Sequence, residues 1–190
     1  MVAPVHPGEE GLLKQFGVIV MLWCAGVLAL LAQTIIVNPD PSAELKGLFP
    51  TAVWFSPKGG EPPHFSAYAA DPRTNPAAQP IGFAFWTPEL VPKEGGYHGA
   101  IHILVGMDTT GTLAGVVVDY DSEPYGYFSV EPLQFAAQFK GKSIRDAFRV
   151  GADVDAVSRA SISINSAARA IRDSSRIAAR ALLNPDAVKR

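Results

Sequence analysis

The sequence predicts an α+β fold, in which helices pack on an antiparallel sheet and one N-terminal transmembrane helix tethers the domain. Three observations support this prediction. An uncharged apolar run extends from Phe16 to Val37, apolar residues alternate between Ile101 and Val105, and apolar residues recur at helical spacing near the carboxyl end. The first pattern is typical of a membrane span, the second of a strand and the third of an amphipathic helix.

The apolar run FGVIVMLWCAGVLALLAQTIIV would span roughly 33 Å as a helix, enough to cross a hydrocarbon layer of about 30 Å. A signal peptide is the competing interpretation, but the residues around LLAQT lack the small-residue pattern of a cleavage site. The bulky Trp23 before Cys24 also argues against a lipoprotein site. We therefore expect a retained membrane anchor.

Charge barely decides the orientation of this anchor, because Lys14 and Lys46 flank it almost symmetrically. A short amino tail is easily left in the cytoplasm. We therefore expect a single-pass protein of the inner (cytoplasmic) membrane, in contact with the lipid bilayer and with its main domain on the periplasmic side.

Composition excludes several classes of site. The formal net charge of −2 argues against electrostatic binding of nucleic acid. The single cysteine, Cys24, cannot form an internal disulfide or ligate zinc or an iron–sulfur cluster by itself. His98 and His102 are four residues apart across a turn and a strand, so we do not expect them to converge on a metal.

The chain divides into five predicted segments. They are a tail (1–15), the transmembrane helix (16–37), a Pro/Ala-rich linker or extended segment (38–79), the main domain (80–184) and a second tail (185–190). Within the segment 38–79, Ser42 could cap a short helix through Leu48. Long segments without regular structure are uncommon in compact domains unless functional, so we interpret the stretch from Ser56 to Pro80 as a surface loop or as a segment wrapping a partner.

Within the main domain, IGFAFW, GAIHILVGM and TLAGVVVDY read as strands. The residues between Asp108 and Gly111 are typical of a turn, so the last two strands are predicted to form a hairpin. The alternation of apolar residues in GAIHILVGM predicts that this strand is half-buried. SVEPLQFAAQFKG reads as a helix with Ser129 as its N-cap and Pro132 in the first turn.

SINSAARAIRDSSRIAARALL predicts the last long helix, with its apolar residues on one side. On the other side lies a stripe of four arginines: Arg169, Arg172, Arg176 and Arg180. We interpret the stripe as a solvated helix face, with Asp173 as an internal partner. A docking surface for an acidic partner or for lipid headgroups is the alternative.

The segment GGYHGAIHILVGMDTTGTLAGVVVDYDSEPYGYF, followed by FKGKSIRDAFRVG and VDAVSRAS, resembles the FMN-binding domain family. Members are flavoprotein subunits of redox-driven ion pumps and membrane regulators of nitrous-oxide respiration. The resemblance covers roughly Pro80 to Leu183. It implies that Tyr97, in a Gly-Tyr-Gly-like turn, and Glu123, in a Glu-Pro segment, belong to the cofactor site.

The same resemblance implies a flavin-attachment motif, Asp-x-x-Ser/Thr-Gly-Ala-Thr, at DAVSRAS. In the family its last hydroxyl can bear FMN through a phosphoester made by a dedicated transferase. The matching residues here are Asp155, Ser158, Ala160 and Ser161, and Ser161 carries that last hydroxyl. Arg159 departs from the pattern, because it stands where the motif has glycine.

Arg159 leaves two outcomes open. Its guanidinium could pair with the FMN phosphate and support binding, or it could fill the site and prevent attachment. We expect the second, since glycine there allows backbone conformations and close approaches that arginine does not. Tyr125, with its aromatic neighbours Tyr127 and Phe128, could stack on an isoalloxazine ring, or pack on the core or a partner. We favour packing.

The sequence contains no nicotinamide, haem or iron–sulfur motif, and no nucleophile–base set stands out. We therefore expect an accessory or structural subunit of a membrane electron-transfer complex, respiratory or photosynthetic, rather than an enzyme. Its partners would be the other subunits of that redox or photosynthetic complex. The alternatives are a covalent FMN electron carrier attached through Ser161, and a membrane-anchored sensor or regulatory domain.

Overall fold

A computed structural model describes residues 38–185. Five strands and five helices follow in the order α1 (Ser42–Leu48), β1 (Trp54–Phe55), β2 (Phe65–Tyr68), β3 (Pro80–Trp86), α2 (Thr87–Leu90), β4 (His102–Asp108), β5 (Leu113–Tyr120), α3 (Gly126–Ser129), α4 (Leu133–Ala137) and α5 (Ser161–Leu182). The strands form one antiparallel sheet in the order β1-β2-β3-β4-β5. The α+β prediction is therefore confirmed.

The predicted membrane anchor, residues 16–37, lies outside the described residues, as do the tail 1–15 and residues 186–190. Among the helices formed by residues 38–185, none has both the length and the apolar character needed to cross a bilayer. The anchor stays a prediction.

The predicted hairpin is present, but its first strand is buried on both faces. Ile103, Val105 and Met107 of β4 face the core that α5 covers. Leu104 faces the opposite side, where α1 covers the sheet. The alternation of apolar residues predicted that only one face of this strand is buried. It carries no information about α1, which covers the other face.

Glycines in the sheet allow α1 to approach closely. A Cβ atom at Gly106 would lie 3.2 Å from the Cβ of Leu48 and 3.3 Å from the ring of Phe49. Gly106 pairs with Gly115 of the neighbouring strand, so two adjacent positions present bare backbone to the helix. The resulting contact explains why α1 buries Leu45 and Leu48 although it is only 7 residues long.

The segment 38–79 is part of this fold and not a linker. It supplies α1, β1 and β2, and β2 pairs with β3 from Phe65↔Ala84 to Tyr68↔Pro80. The proline- and glycine-rich stretch between β1 and β2 forms their connection. The two strands have 2 and 4 residues, too few for a periodic pattern to predict them.

The helix predicted from Ser129 onward is present only as the short helix α4, and the prediction missed α3, which precedes it. Ser129 ends α3 instead of capping a helix, and its hydroxyl donates to the carbonyl of Tyr125 at 2.7 Å. Pro132 is the N-cap of α4. The proline cannot donate an amide hydrogen bond, so the chain turns here and starts a second helix.

The long helix α5 is confirmed over Ser161–Leu182. Its inner face combines apolar residues with small buried serines. Two of them donate to the preceding turn: Ser174 to the carbonyl of Ala170 and Ser175 to that of Ile171, each at 2.6 Å. Small residues allow the helix to lie close to the sheet. Its first residue is Ser161, which opens the candidate site.

Most of the arginine stripe is engaged within the domain. Arg169 pairs with Glu94 at 2.6 Å, and Arg172 pairs with Asp173 at 2.7 Å. Arg176 donates to the carbonyls of Ile144 and Asp146, both at 2.9 Å. The predicted pairing with Asp173 is therefore present, and Arg169 and Arg176 also bind other segments of the domain, which the interpretation as a solvated face did not predict.

Candidate functional site

A cavity of about 500 Å³ lies where α5 begins, against the loop that follows β5. Eight residues line it: Tyr97, Pro124, Tyr125, Arg159, Ala160, Ser161, Ile162 and Ser163. Its volume falls within the range of about 300–1,000 Å³ that is typical of small-molecule sites. The cavity thus joins three segments that are far apart in the sequence.

Five of the eight residues predicted from the sequence line this cavity: Tyr97, Tyr125, Arg159, Ala160 and Ser161. The other three, Asp155, Ser158 and Glu123, are not in its wall. Asp155 and Ser158 are exposed, and the amide of Asp155 donates to the side chain of Gln138 at 2.7 Å. The C-terminal half of the motif, from Arg159 to Ser161, therefore lines the cavity. Cofactor binding by these residues stays a prediction.

Sequence reasoning missed Pro124, Ile162 and Ser163. Pro124 and Ile162 are each next to a predicted residue in the chain, and Ser163 lies two positions after Ser161. Ser163 follows Ser161 on the first turn of α5 and is buried, at 4% exposure. Proximity to the motif was the available signal for Ile162 and Ser163, but it does not show which side chains the helix turns toward the cavity.

Arg159 has a left-handed backbone, with φ at +70°. This is the conformation that glycine adopts freely and that costs other residues about 1–2 kcal/mol. Its side chain is exposed, and it has no hydrogen bond or ion pair with any residue between 38 and 185. The turn therefore keeps a glycine-like geometry without the glycine. It places on the cavity wall a cation that has no ion-pair partner among residues 38–185.

Ser161 is the first residue of α5 and is exposed. The preceding residue, Ala160, provides no side-chain cap, and the first turn carries no acidic residue. Ser161 is therefore a hydroxyl at the positive end of a helix dipole, open to the cavity. A phosphoester oxygen at this position would be electrostatically favourable.

Glu123 lies directly behind the cavity wall. Its carboxylate accepts hydrogen bonds from the amides of Tyr97 and His98, each at 2.9 Å, and from the hydroxyl of Ser163. The side chain is 8% exposed. Burial opposes ionisation, but the bonds from Ser163, His98 and Tyr97 outweigh it and hold the pKa of Glu123 below its ordinary value.

Gly96 completes the contact between the Tyr97 turn and Glu123. A Cβ atom at Gly96 would lie 2.5 Å from Oε1 of Glu123, a distance that no real contact tolerates. A side chain at position 96 would therefore displace the carboxylate that accepts the two amides that follow. The turn itself is closed by the amide of Gly96, which donates to the carbonyl of Gly99 at 2.7 Å.

Exposed aromatic rings surround the cavity. Tyr97 is 64% exposed and Tyr125 44% exposed, and both line the cavity wall. Tyr125 and Tyr127 also contact Phe128, with ring centroids 5.4 Å and 4.9 Å apart. These rings present apolar faces to solvent in a part of the surface where a planar ligand or a partner could cover them.

The described residues contain no group of three or more His, Cys, Asp or Glu side chains arranged to hold a metal ion. The side chains available at the cavity are instead two phenol rings, two serine hydroxyls and one guanidinium. This set can stack on a planar ring, hold an anion and offer a hydroxyl for attachment.

Comparison with known proteins gives a family match. Residues 96–175 match the model of the FMN-binding domain family, from the Gly96 turn through β4, β5 and the Glu123 loop to the first two-thirds of α5. A search of curated proteins found no match to this chain. The chain therefore contains a segment, residues 96–175, that is similar to the FMN-binding domain family.

Proposed function

We propose that this protein is a membrane-anchored accessory subunit of a membrane electron-transfer assembly, and that Arg159 keeps covalent FMN off Ser161. The observation that carries the proposal is the position of Arg159. It lines the cavity two residues before Ser161, at the point where the family motif has glycine. A long cationic side chain there occupies space that a phosphoester on Ser161 would need.

The cavity fits FMN in its other features. Tyr97 and Tyr125 offer ring faces, and Ser161 offers an exposed hydroxyl at a helix start. FMN, when bound, supplies one- and two-electron redox chemistry. The residues present would orient and hold such a group, while Arg159 supplies a charge that could pair with phosphate as well as block its attachment.

The accessory role is supported by the exposed apolar surface at the cavity. Three of the seven large hydrophobic side chains that are exposed within residues 38–185 line it: Tyr97, Tyr125 and Ile162. Tyr127, 69% exposed, lies in the adjoining helix α3. Aromatic side chains of this kind are enriched at protein interfaces, so a partner subunit would bury them.

The proposed setting follows from the sequence. The apolar run at residues 16–37 would anchor the protein in the inner membrane, with the described domain on the periplasmic side. The partners would be other subunits of a respiratory or photosynthetic complex. The net charge of −2 argues against nucleic acid as a partner.

The test is to purify the protein from its own membranes in mild detergent. One portion is denatured and examined for flavin fluorescence and for an FMN-sized mass increment on the peptide that contains Ser161. We expect no increment and a set of co-purifying subunits. Migration as a free monomer would contradict the accessory role, and a flavinylated Ser161 would contradict the proposed effect of Arg159.

The second candidate is a covalent FMN electron carrier attached through Ser161. It is favoured by the left-handed backbone of Arg159, which preserves the turn geometry of the motif, and by the exposed hydroxyl of Ser161. Co-expression with the family's transferase separates the two candidates. The carrier predicts loading of the wild-type chain, whereas the accessory subunit predicts loading only of Arg159→Gly.

A further inference from the structure

Glu123 connects two of the three segments that line the cavity, the Tyr97 turn and the first turn of α5, without lining the cavity itself. Its carboxylate accepts the amides of Tyr97 and His98, which lie 26 and 25 residues earlier in the chain. It also accepts the hydroxyl of Ser163, 40 residues later. Tyr97 and Ser163 line the cavity, and Glu123 does not.

The position of Glu123 is itself fixed by its own loop. The amide of Glu123 donates to Oδ1 of Asp121 at 2.9 Å, and its carbonyl accepts the amide of Gly126 at 3.1 Å. Nearby, a ring nitrogen of His98 lies 3.1 Å from the carbonyl of Ser122, which adds a further contact between the loop and the turn. The carboxylate therefore projects from a rigid support.

The three partners require a carboxylate at position 123. All three are donors in this arrangement, and an ionised carboxylate offers acceptor sites on both oxygens. A glutamine would replace one oxygen with an amino group. That group would then face the amide of either Tyr97 or His98, and one of these two amides would lose its acceptor.

We propose that Glu123 is the positioning residue of this cavity: it sets the Tyr97 turn against the first turn of α5 and so shapes the space beside Ser161. It acts through Tyr97, His98 and Ser163, and does not itself contact a ligand. The proposal deepens the proposed function, because it concerns the cavity on which that function rests. It applies whether the cavity holds flavin or only a partner's side chains.

The experiment uses the full chain in detergent and compares Glu123→Gln with Glu131→Gln. Glu131 is an exposed carboxylate eight positions further along the same loop region, so its substitution changes charge equally without touching the cavity walls. Hydrogen exchange followed by mass spectrometry reports on peptides that cover 95–100, 161–165 and β4. A second arm measures FMN loading by the family's transferase in an Arg159→Gly background.

We expect Glu123→Gln to raise the exchange rate at 95–100 by about tenfold to a hundredfold, since a hydrogen bond to a charged group is lost. β4 should stay protected. FMN loading should fall at least tenfold, and Glu131→Gln should change neither readout. Unchanged exchange at 95–100, or an increase spread evenly over β4 and α5, would overturn the proposal and leave Glu123 with a general stabilising role.

Ser163→Ala provides a second variant if Glu123→Gln does not fold. It removes only the hydroxyl bond and leaves both amides bound to the carboxylate. We expect reduced FMN loading with protection at 95–100 intact, and full loading would contradict the proposal. If Arg159→Gly itself does not load, the proposed effect of Arg159 fails, while the exchange measurements still decide the role of Glu123.

Discussion

Replacing Arg159 with glycine should stabilise the protein, although most substitutions in a folded domain destabilise it. The backbone of Arg159 has φ at +70°, where a side chain with a Cβ atom is strained by about 1–2 kcal/mol. Glycine removes that strain. No residue from 38 to 185 pairs with the guanidinium, so no hydrogen bond or ion pair within this range is lost with it.

The gain is reduced because glycine makes the unfolded chain more flexible, which costs about 0.5–1 kcal/mol. The free energy of unfolding should therefore rise by roughly 0.5–1 kcal/mol. For a chain of this size, 1 kcal/mol corresponds to about 2–4 °C in Tm. The expected shift is thus an increase of about 1–4 °C.

Thermal and denaturant unfolding followed by circular dichroism measure this change. Arg159→Ala is the matched control, because it removes the guanidinium but keeps the Cβ atom, and it should leave the stability nearly unchanged. Gly141→Ala is the reverse control. Gly141 has φ at +81° and open space where a Cβ atom would lie, so alanine there should cost about 1 kcal/mol. If Arg159→Gly is no more stable than Arg159→Ala, the strain argument is refuted.

Three further predictions concern the cavity support and the arginine stripe. Gly96→Ala should destabilise by about 1–3 kcal/mol, measured by denaturant unfolding, because its Cβ would collide with Glu123. The lowered pKa of Glu123 stabilises the fold above its unfolded value of 4.5, so this contribution should be lost as pH falls below 4.5 through the folded pKa. In Tm measurements against pH, the deficit of Glu123→Gln should therefore shrink in acid, and a constant deficit would contradict the assignment. Arg176→Ala should cost about 1–2 kcal/mol through two lost hydrogen bonds, whereas Arg180→Ala should stay within about 0.5 kcal/mol; equal effects would refute the distinction.

The hairpin and the last helix could be predicted because their signals are local. The turn at Asp108–Gly111 and the apolar alternation define β4 and β5, and a 3.6-residue period defines α5. β1 and β2 could not be predicted, since strands of 2 and 4 residues show no period. They are stabilised by pairing with β3, which is a tertiary effect.

The cavity shows the same division between local and long-range information. Arg159, Ala160 and Ser161 follow one another in the sequence, and a linear motif identified all three. The bond between Ser163 and Glu123 joins residues 40 positions apart, and no spacing rule connects them. The sequence marked Glu123 as part of the site, but the structure was needed to show that it supports the wall from behind.

The backbone at Arg159 also bears on how this domain could have changed over time. Because the neighbouring contacts hold the left-handed turn, among them the amide of Ala160 on the carbonyl of Val157 at 3.2 Å, the residue at position 159 can vary without rebuilding the loop. Arginine and glycine codons can differ by a single nucleotide. On the proposed effect of Arg159, a single point mutation at this position would switch covalent FMN attachment on or off.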